Sequence, residues 1–190
     1  MGRSVGLLTA ALLLVAGPSL AETIRLTHKE YIPTFDVGLK QRYQGTHIYF
    51  YDFTNEAEDT GLWSYESETT RAKYKTQDYR LNYYLLYCVQ AAGRALGMVV
   101  YERETSIPEL RSLDLVFTTW SHEEFRCRVS AYVGGVKRVE KAFRVEFDRA
   151  TSQRPSDLKQ RAYECITEIV ATILEDEEIQ AAFLNPAPGR

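Results

Sequence analysis

The apolar and polar positions fall into blocks with different periods. His47 to Phe53, HIYFYDF, is aromatic and β-branched, and Ile48, Phe50 and the bracketing tyrosines suit a buried strand. From about residue 80 the period lengthens. Leu81, Leu85, Cys88, Val89, Ala92 and Leu96 recur at spacings of three and four, which predicts a helix capped by Asp78 and ended by Gly97. Its opposite face reads Arg80, Tyr83, Tyr87, Gln90, Arg94. Val99 to Arg103 reads as a short strand, and Pro108 marks a connection.

From Leu113 the period is two. Leu113, Leu115 and Phe117 share one face of the first run. In the second, Phe125, Cys127, Val129 and Ala131 oppose Glu124, Arg126, Arg128 and Ser130. In the third, Val139, Phe143, Val145 and Phe147 point inward. A two-residue Gly134-Gly135 turn would set Phe125 against Arg144 on the buried side and is excluded on burial grounds, so a three-residue loop, Val133-Gly134-Gly135, is expected instead. That loop pairs Phe125 with Phe143 and Val129 with Val139 inside, and Glu124 with Arg144 and Arg128 with Glu140 outside. It leaves Lys141 facing inward opposite Cys127, which requires a bulge or a snorkelling lysine. A last helix is expected from Ser156 to Phe183, with a stripe of Leu158, Ala162, Cys165, Ile166, Ile169, Val170 and Ile173.

Between these blocks, residues 22–46 carry Pro33, Gly38 and Gly45 and read as an N-terminal arm. The 25 residues TNEAEDTGLWSYESETTRAKYKTQD read as a long polar loop, the first place to look for a site. Residues 184–190 read as a disordered tail. The expectation for 47–183 is a single α+β domain: a two-layer sandwich, mostly antiparallel sheet with two helices packed on one face.

The first 21 residues change the picture of where this domain works. Arg3, the apolar run Val5 to Ala16 and Ser19-Leu20-Ala21 have the layout of a signal peptide cleaved after Ala21. The run is shorter than the ~20 residues of a spanning helix. A periplasmic or secreted bacterial protein without a transmembrane segment in the mature chain is expected. No Asn-x-Ser/Thr acceptor occurs, since Asn55, Asn82 and Asn185 all fail, which fits a bacterial envelope.

Without Arg3 the chain keeps 22 basic against 26 acidic residues, with both signs interspersed. That balance argues against nucleic acid as a partner and offers no polybasic patch for anionic lipid.

Candidate chemistry is sparse. Cys88, Cys127 and Cys165 fall on apolar faces. A disulfide between Cys88 and Cys165 would tie the two helices together in an oxidising compartment, and three small buried hydrophobes are the alternative. His28, His47 and His122 are scattered, and no metal-ligand spacing, calcium loop, nucleophile elbow, phosphate loop or dinucleotide fingerprint occurs, so no metal or cofactor is expected. Carboxylates such as Asp52, Glu56 and Asp59 keep a hydrolase as one alternative. A small-molecule or lipid ligand between sheet and helices is another.

The chain has thirteen tyrosines. Tyr83 and Tyr87 lie one turn apart between Arg80 and Arg94, and Trp63 and Tyr65 sit in the long polar segment. Tyr, Trp and Arg are the residue types that dominate protein interfaces, so these six are the candidate partner-binding residues. The competing reading has Tyr83 and Tyr87 covered by the loop or the arm.

The strand GTHIYFYDFTN (Gly45 to Asn55), the tyrosine-rich helix ending in Gly97-Met98, the meander and the final LEDEEIQAAF (Leu174 to Phe183) together resemble small bacterial envelope proteins. The layout is similar to that of YajG-type and transporter-auxiliary lipoproteins. The chain lacks the cysteine that those proteins lipidate, so their membrane anchoring does not carry over. Exposed Tyr and Trp with no catalytic constellation lead to the expectation of a non-enzymatic periplasmic accessory protein with an envelope protein as partner.

Overall fold

The computed structural model describes residues 22–57, 62–66, 71–76, 80–107, 109–121, 123–148 and 154–184. The architecture is α+β, a five-stranded mixed sheet with helices on one side. Strand β1 (Glu22–Leu26) and a 3₁₀ turn (His28–Glu30) precede helix α1 (Val37–Tyr43). Strands β2 (His47–Asn55), β3 (Leu62–Glu66) and β4 (Arg71–Thr76) then lead to α2 (Leu81–Ala95) and β5 (Val99–Tyr101). The meander β6 (Arg111–Trp120), β7 (Glu124–Val133) and β8 (Val136–Glu146) is followed by α3 (Pro155–Glu175) and α4 (Glu177–Leu184).

The large sheet has the order β5-β2-β6-β7-β8. β2 lies parallel to both β5 and β6, because α2 carries the chain back across the sheet between them. The meander is antiparallel, as its period of two predicts. One face of β2, β6, β7 and β8 is buried beneath the helices, and β5 is half-buried at the edge. Phe50, Phe53, Leu113, Leu115, Val129 and Phe125 meet Leu85, Val89, Ile166, Ile169, Val170 and Ile173 in one apolar layer. α2 sits close to the sheet at Gly93, where an added Cβ would fall 3.0 Å from Val100 Cγ2 and 3.2 Å from Phe50 Cε2.

Two expected irregular segments prove to be structural. The arm forms β1 and α1 and buries Ile24, Leu26, Tyr31, Leu39 and Tyr43. The long polar segment supplies β3 and β4, which pair antiparallel, and β4 also takes β1 in parallel, giving a second sheet of order β1-β4-β3. Tyrosine hydroxyls fasten both segments to α3. Tyr74 donates to Leu158 O (3.2 Å), Tyr163 to Thr27 O (3.0 Å), and Tyr43 to Leu174 O (2.6 Å). Tyr31 shares a hydrogen bond of 3.1 Å with Thr167. Burial pushes the Tyr163 hydroxyl up to about 12 and those of Tyr31 and Tyr43 higher, so all are neutral donors at physiological pH.

The β7–β8 register differs from the expected one by two residues. Phe125 pairs with Val145, Cys127 with Phe143, Val129 with Lys141 and Ala131 with Val139. The turn is the two-residue Gly134-Gly135 after all, with φ of 56° and 75°. The objection to it disappears because a bulge at Arg138, between the Ala131–Val139 and Tyr132–Lys137 pairs, restores the inward parity of Phe143 and Val145. The expected ion pair between Glu124 and Arg144 does form (2.8 Å), but diagonally, since Glu124 stands opposite Glu146.

Lys141 is thus inward on β8 and answered from the helical layer. Its Nζ lies 2.7 Å from Asp176 Oδ2 and 2.7 Å from Glu178 Oε1. Asp176 also breaks the single expected helix into α3 and α4. Its backbone leaves the helical region (ψ 130°), and its Oδ1 accepts from the N–H groups of Glu178 (3.1 Å) and Ile179 (3.2 Å), capping α4. Burial alone would raise this carboxyl, but the Lys141 ammonium and the two N–H donors hold it below its ordinary value.

A depressed carboxylate contributes stability that is present above the ordinary value of 3.8 and is lost as pH falls through the lower folded value. Asp176→Ala should cost about 1–2 kcal/mol at neutral pH by urea denaturation, through the lost cap. Asp176→Asn keeps a capping oxygen, so it should cost less and should remove this residue's share of the acid-side loss.

Candidate functional site

The six residues singled out from sequence lie on two elements. Arg80, Tyr83, Tyr87 and Arg94 project from the outer side of α2, away from the stripe buried on the sheet. Arg80 is the N-cap residue of the helix, exposed and without a side-chain cap bond. Asp78, the expected cap, lies outside the described residues. Tyr83 is 45% exposed and Tyr87 40%, whereas Tyr84 between them is fully buried. The Tyr87 ring rests on the His28 ring with centroids 4.7 Å apart, so the 3₁₀ turn steadies one side of Tyr87 and leaves the other to solvent. The N-terminal segment does abut the helix, and the two rings still face outward. Gln90, expected on this face, is buried instead.

Arg94 closes the far end of the patch, with its guanidinium 4.0 Å from Glu102 and half exposed. Trp63 and Tyr65 belong to β3, where Trp63 stands opposite Tyr74 and Tyr65 opposite Ala72 in the ladder. The backbone thus sets both on one face of β3. Their side chains lie outside the described residues.

A second aromatic group was not anticipated. On the open face of the sheet, at its β5 edge, the His47 Nδ1 and the Tyr101 hydroxyl are 2.8 Å apart, with the rings stacked. Next along β2, Tyr49 and Tyr51 meet edge to face at 5.8 Å, and Tyr51 is 56% exposed. The alternation in HIYFYDF contained this signal. Ile48 and Phe50 go in, so His47, Tyr49 and Tyr51 go out, and the tyrosines expected to suit a buried strand lie on the solvated face.

Asp114, also on that face, has its carboxyl raised by partial burial and by the nearby Asp52, against a hydrogen bond from Tyr132. Asp52 and Glu56 are themselves exposed, and Asp59 lies outside the described residues.

Cys88, Cys127 and Cys165 are buried free thiols, so the Cys88–Cys165 bridge is not formed in this structure. Burial pushes the thiols of Cys127 and Cys165 up to about 12, far from the thiolate that a nucleophile needs. His122 lies outside the described residues. Among the described residues no group of His, Cys, Asp and Glu has metal-binding geometry, and no helix is long and apolar enough to cross a membrane. The gap between sheet and helices, bordered by Phe50, Val89, Leu113 and Val170, holds about 10 Å³ and leaves no room for a ligand.

The class defined by this geometry is a two-layer α+β protein with an aromatic, arginine-flanked helix on its surface. Neither protein-family models nor curated proteins give a match to the chain. Among solved structures it is similar to a crystal structure of a Xanthomonas campestris protein of the family model DUF330. The TM-score is 0.55 and the identity 9%, over 85% of this chain and 97% of that one. The likeness is one of fold.

If Tyr83 and Tyr87 are surface residues, truncating them should barely change stability. Tyr83→Ala and Tyr87→Ala should each cost no more than about 1 kcal/mol in urea denaturation, against about 3–5 kcal/mol for Tyr84→Ala in the core.

Proposed function

We propose that this chain is an exported, non-enzymatic accessory protein of a bacterial cell envelope, acting through contacts with another envelope protein. The observation that carries the reading is the α2 surface. Tyr83 and Tyr87 are held 45% and 40% exposed, one turn apart, on a helix whose other side is locked into the core. Two large rings on a rigid support lose little conformational freedom on binding, and the flanking Arg80 and Arg94 add donors for carboxylates or carbonyls. The N-terminal segment, with the layout of an export signal, supports the envelope as the place of action. Trp63 and Tyr65 of β3 are proposed as further contacts for that partner.

The test is to crosslink and co-purify the tagged protein from intact envelopes under non-reducing conditions. The expected outcome is a specific membrane-protein partner that disappears with the Tyr83→Ala/Tyr87→Ala double variant while the variant remains folded. A partner retained by that folded variant would remove the helix from the reading, and a clean protein with no partner would remove the accessory role itself.

A further inference from the structure

β8 ends the five-stranded sheet, paired with β7 on one side and with no described strand on the other. At eleven residues it is a long edge. Its hydrogen-bonding phase follows from the residue just beyond it. Phe147 N–H donates to Glu123 O (2.8 Å), so the odd positions of β8 turn their backbone groups toward β7. The even positions Glu140, Ala142, Arg144 and Glu146 then turn theirs to the free edge. The side chains of these same even residues are exposed on the open face.

We infer that β8 is the interface for a second copy of this chain, joined edge to edge and antiparallel about a two-fold axis at Ala142. The charge order along the edge carries this. Arg138, Glu140, Ala142, Arg144 and Glu146 read plus, minus, small, plus, minus. Turned end for end about Ala142, the series meets its own complement. Glu140 faces Arg144 of the other copy, Arg138 at the bulge faces Glu146, and Ala142 faces Ala142 with no bulk between them. Moving the second copy two residues along the strand either way loses this match, because Arg138 then meets Arg144, or Glu140 meets Glu146. Glu140, Ala142 and Arg144, the positions that exchange backbone hydrogen bonds at the centre of this register, already point their N–H and C=O outward, so there the backbone ladder and the charge ladder agree.

On the helix-covered face the same register sets Val139 opposite Val145. Lys141 stays with Asp176 and Glu178. Within one copy Arg144 touches Glu124 (2.8 Å) and Glu146 (3.0 Å), and Lys137 pairs with Glu140. These contacts hold the charged heads over the strand and leave its edge open.

The experiment measures self-association of the full-length chain, expressed with its N-terminal segment and purified as the cell leaves it, by sedimentation velocity. The wild type is expected to be a dimer. Glu140→Arg alone sets Arg against Arg144, and Arg144→Glu alone sets Glu against Glu140, so each should weaken dimerisation by about tenfold or more. Mixing the two variants restores opposite charges at both positions and should give a heterodimer.

Ala142→Pro serves as a second probe. The N–H it removes points away from β7, so the fold should keep its circular dichroism spectrum while the dimer is lost. A wild type that stays monomeric would overturn the inference. So would a dimer that survives Ala142→Pro, or charge variants that fail to pair when mixed.

Discussion

A lysine at an inward position of a half-buried sheet must be answered from the layer above it, and in this protein that requirement organises the junction between sheet and helices. Lys141 reaches Asp176 and Glu178, and the same Asp176 ends one helix and caps the next. The Lys141 side chain stays 36% exposed, and both of its carboxylate partners lie at the α3–α4 junction, so the ion pairs tie the position of the helix break to the register of β8. The bulge at Arg138 belongs to the same solution. It lets a two-residue glycine turn coexist with an apolar inner face, and thereby decides which β8 residue stands opposite each β7 residue.

Eight of the described tyrosines fall into two populations with different physics. Tyr31, Tyr43, Tyr74 and Tyr163 are core residues whose hydroxyls find oxygen partners on α3 or on the N-terminal segment. Each joins an apolar ring to a polar tip, so each can fasten a short, weakly apolar element to the core without leaving an unsatisfied group. Tyr49, Tyr51, Tyr83 and Tyr87 are on the surface. They form two groups, one on the open face of the sheet and one on the outer side of α2, both on rigid secondary structure. Both groups are rings held on rigid secondary structure, while Phe50, Val89, Leu113 and Val170 close the layer between sheet and helices to about 10 Å³.

The large sheet, the α2 stripe, the meander and the inward set of each strand were legible in the sequence because burial on one side imposes a period that survives without knowledge of neighbours. The α2 patch was legible for the same reason, as the complement of a buried stripe. The arm and the polar segment were not. β1, β3 and β4 are short and mixed in character: β3 and β4 form a local hairpin whose sequence lacks a clean alternation, and β1 joins them by pairing with β4 about fifty residues further along the chain, a long-range contact with no local signature. Glu124 and Arg144 were matched correctly by charge, yet the register was displaced by two, because parity in a strand survives a shift of two and long side chains can reach diagonally.

The sequence by itself determined the class of fold, the faces of its strands and helices, and the choice of tyrosine and arginine for the outer side of α2, since all of these follow from which side chains water rejects. The tertiary structure alone decided the register of the hairpin, the break at Asp176, the separation of Cys88 from Cys165 as free thiols, and which tyrosines are fasteners and which are surface. Those outcomes depend on what each group meets when the layers close, and a buried charge or hydroxyl is satisfied by a partner whose position no local pattern encodes.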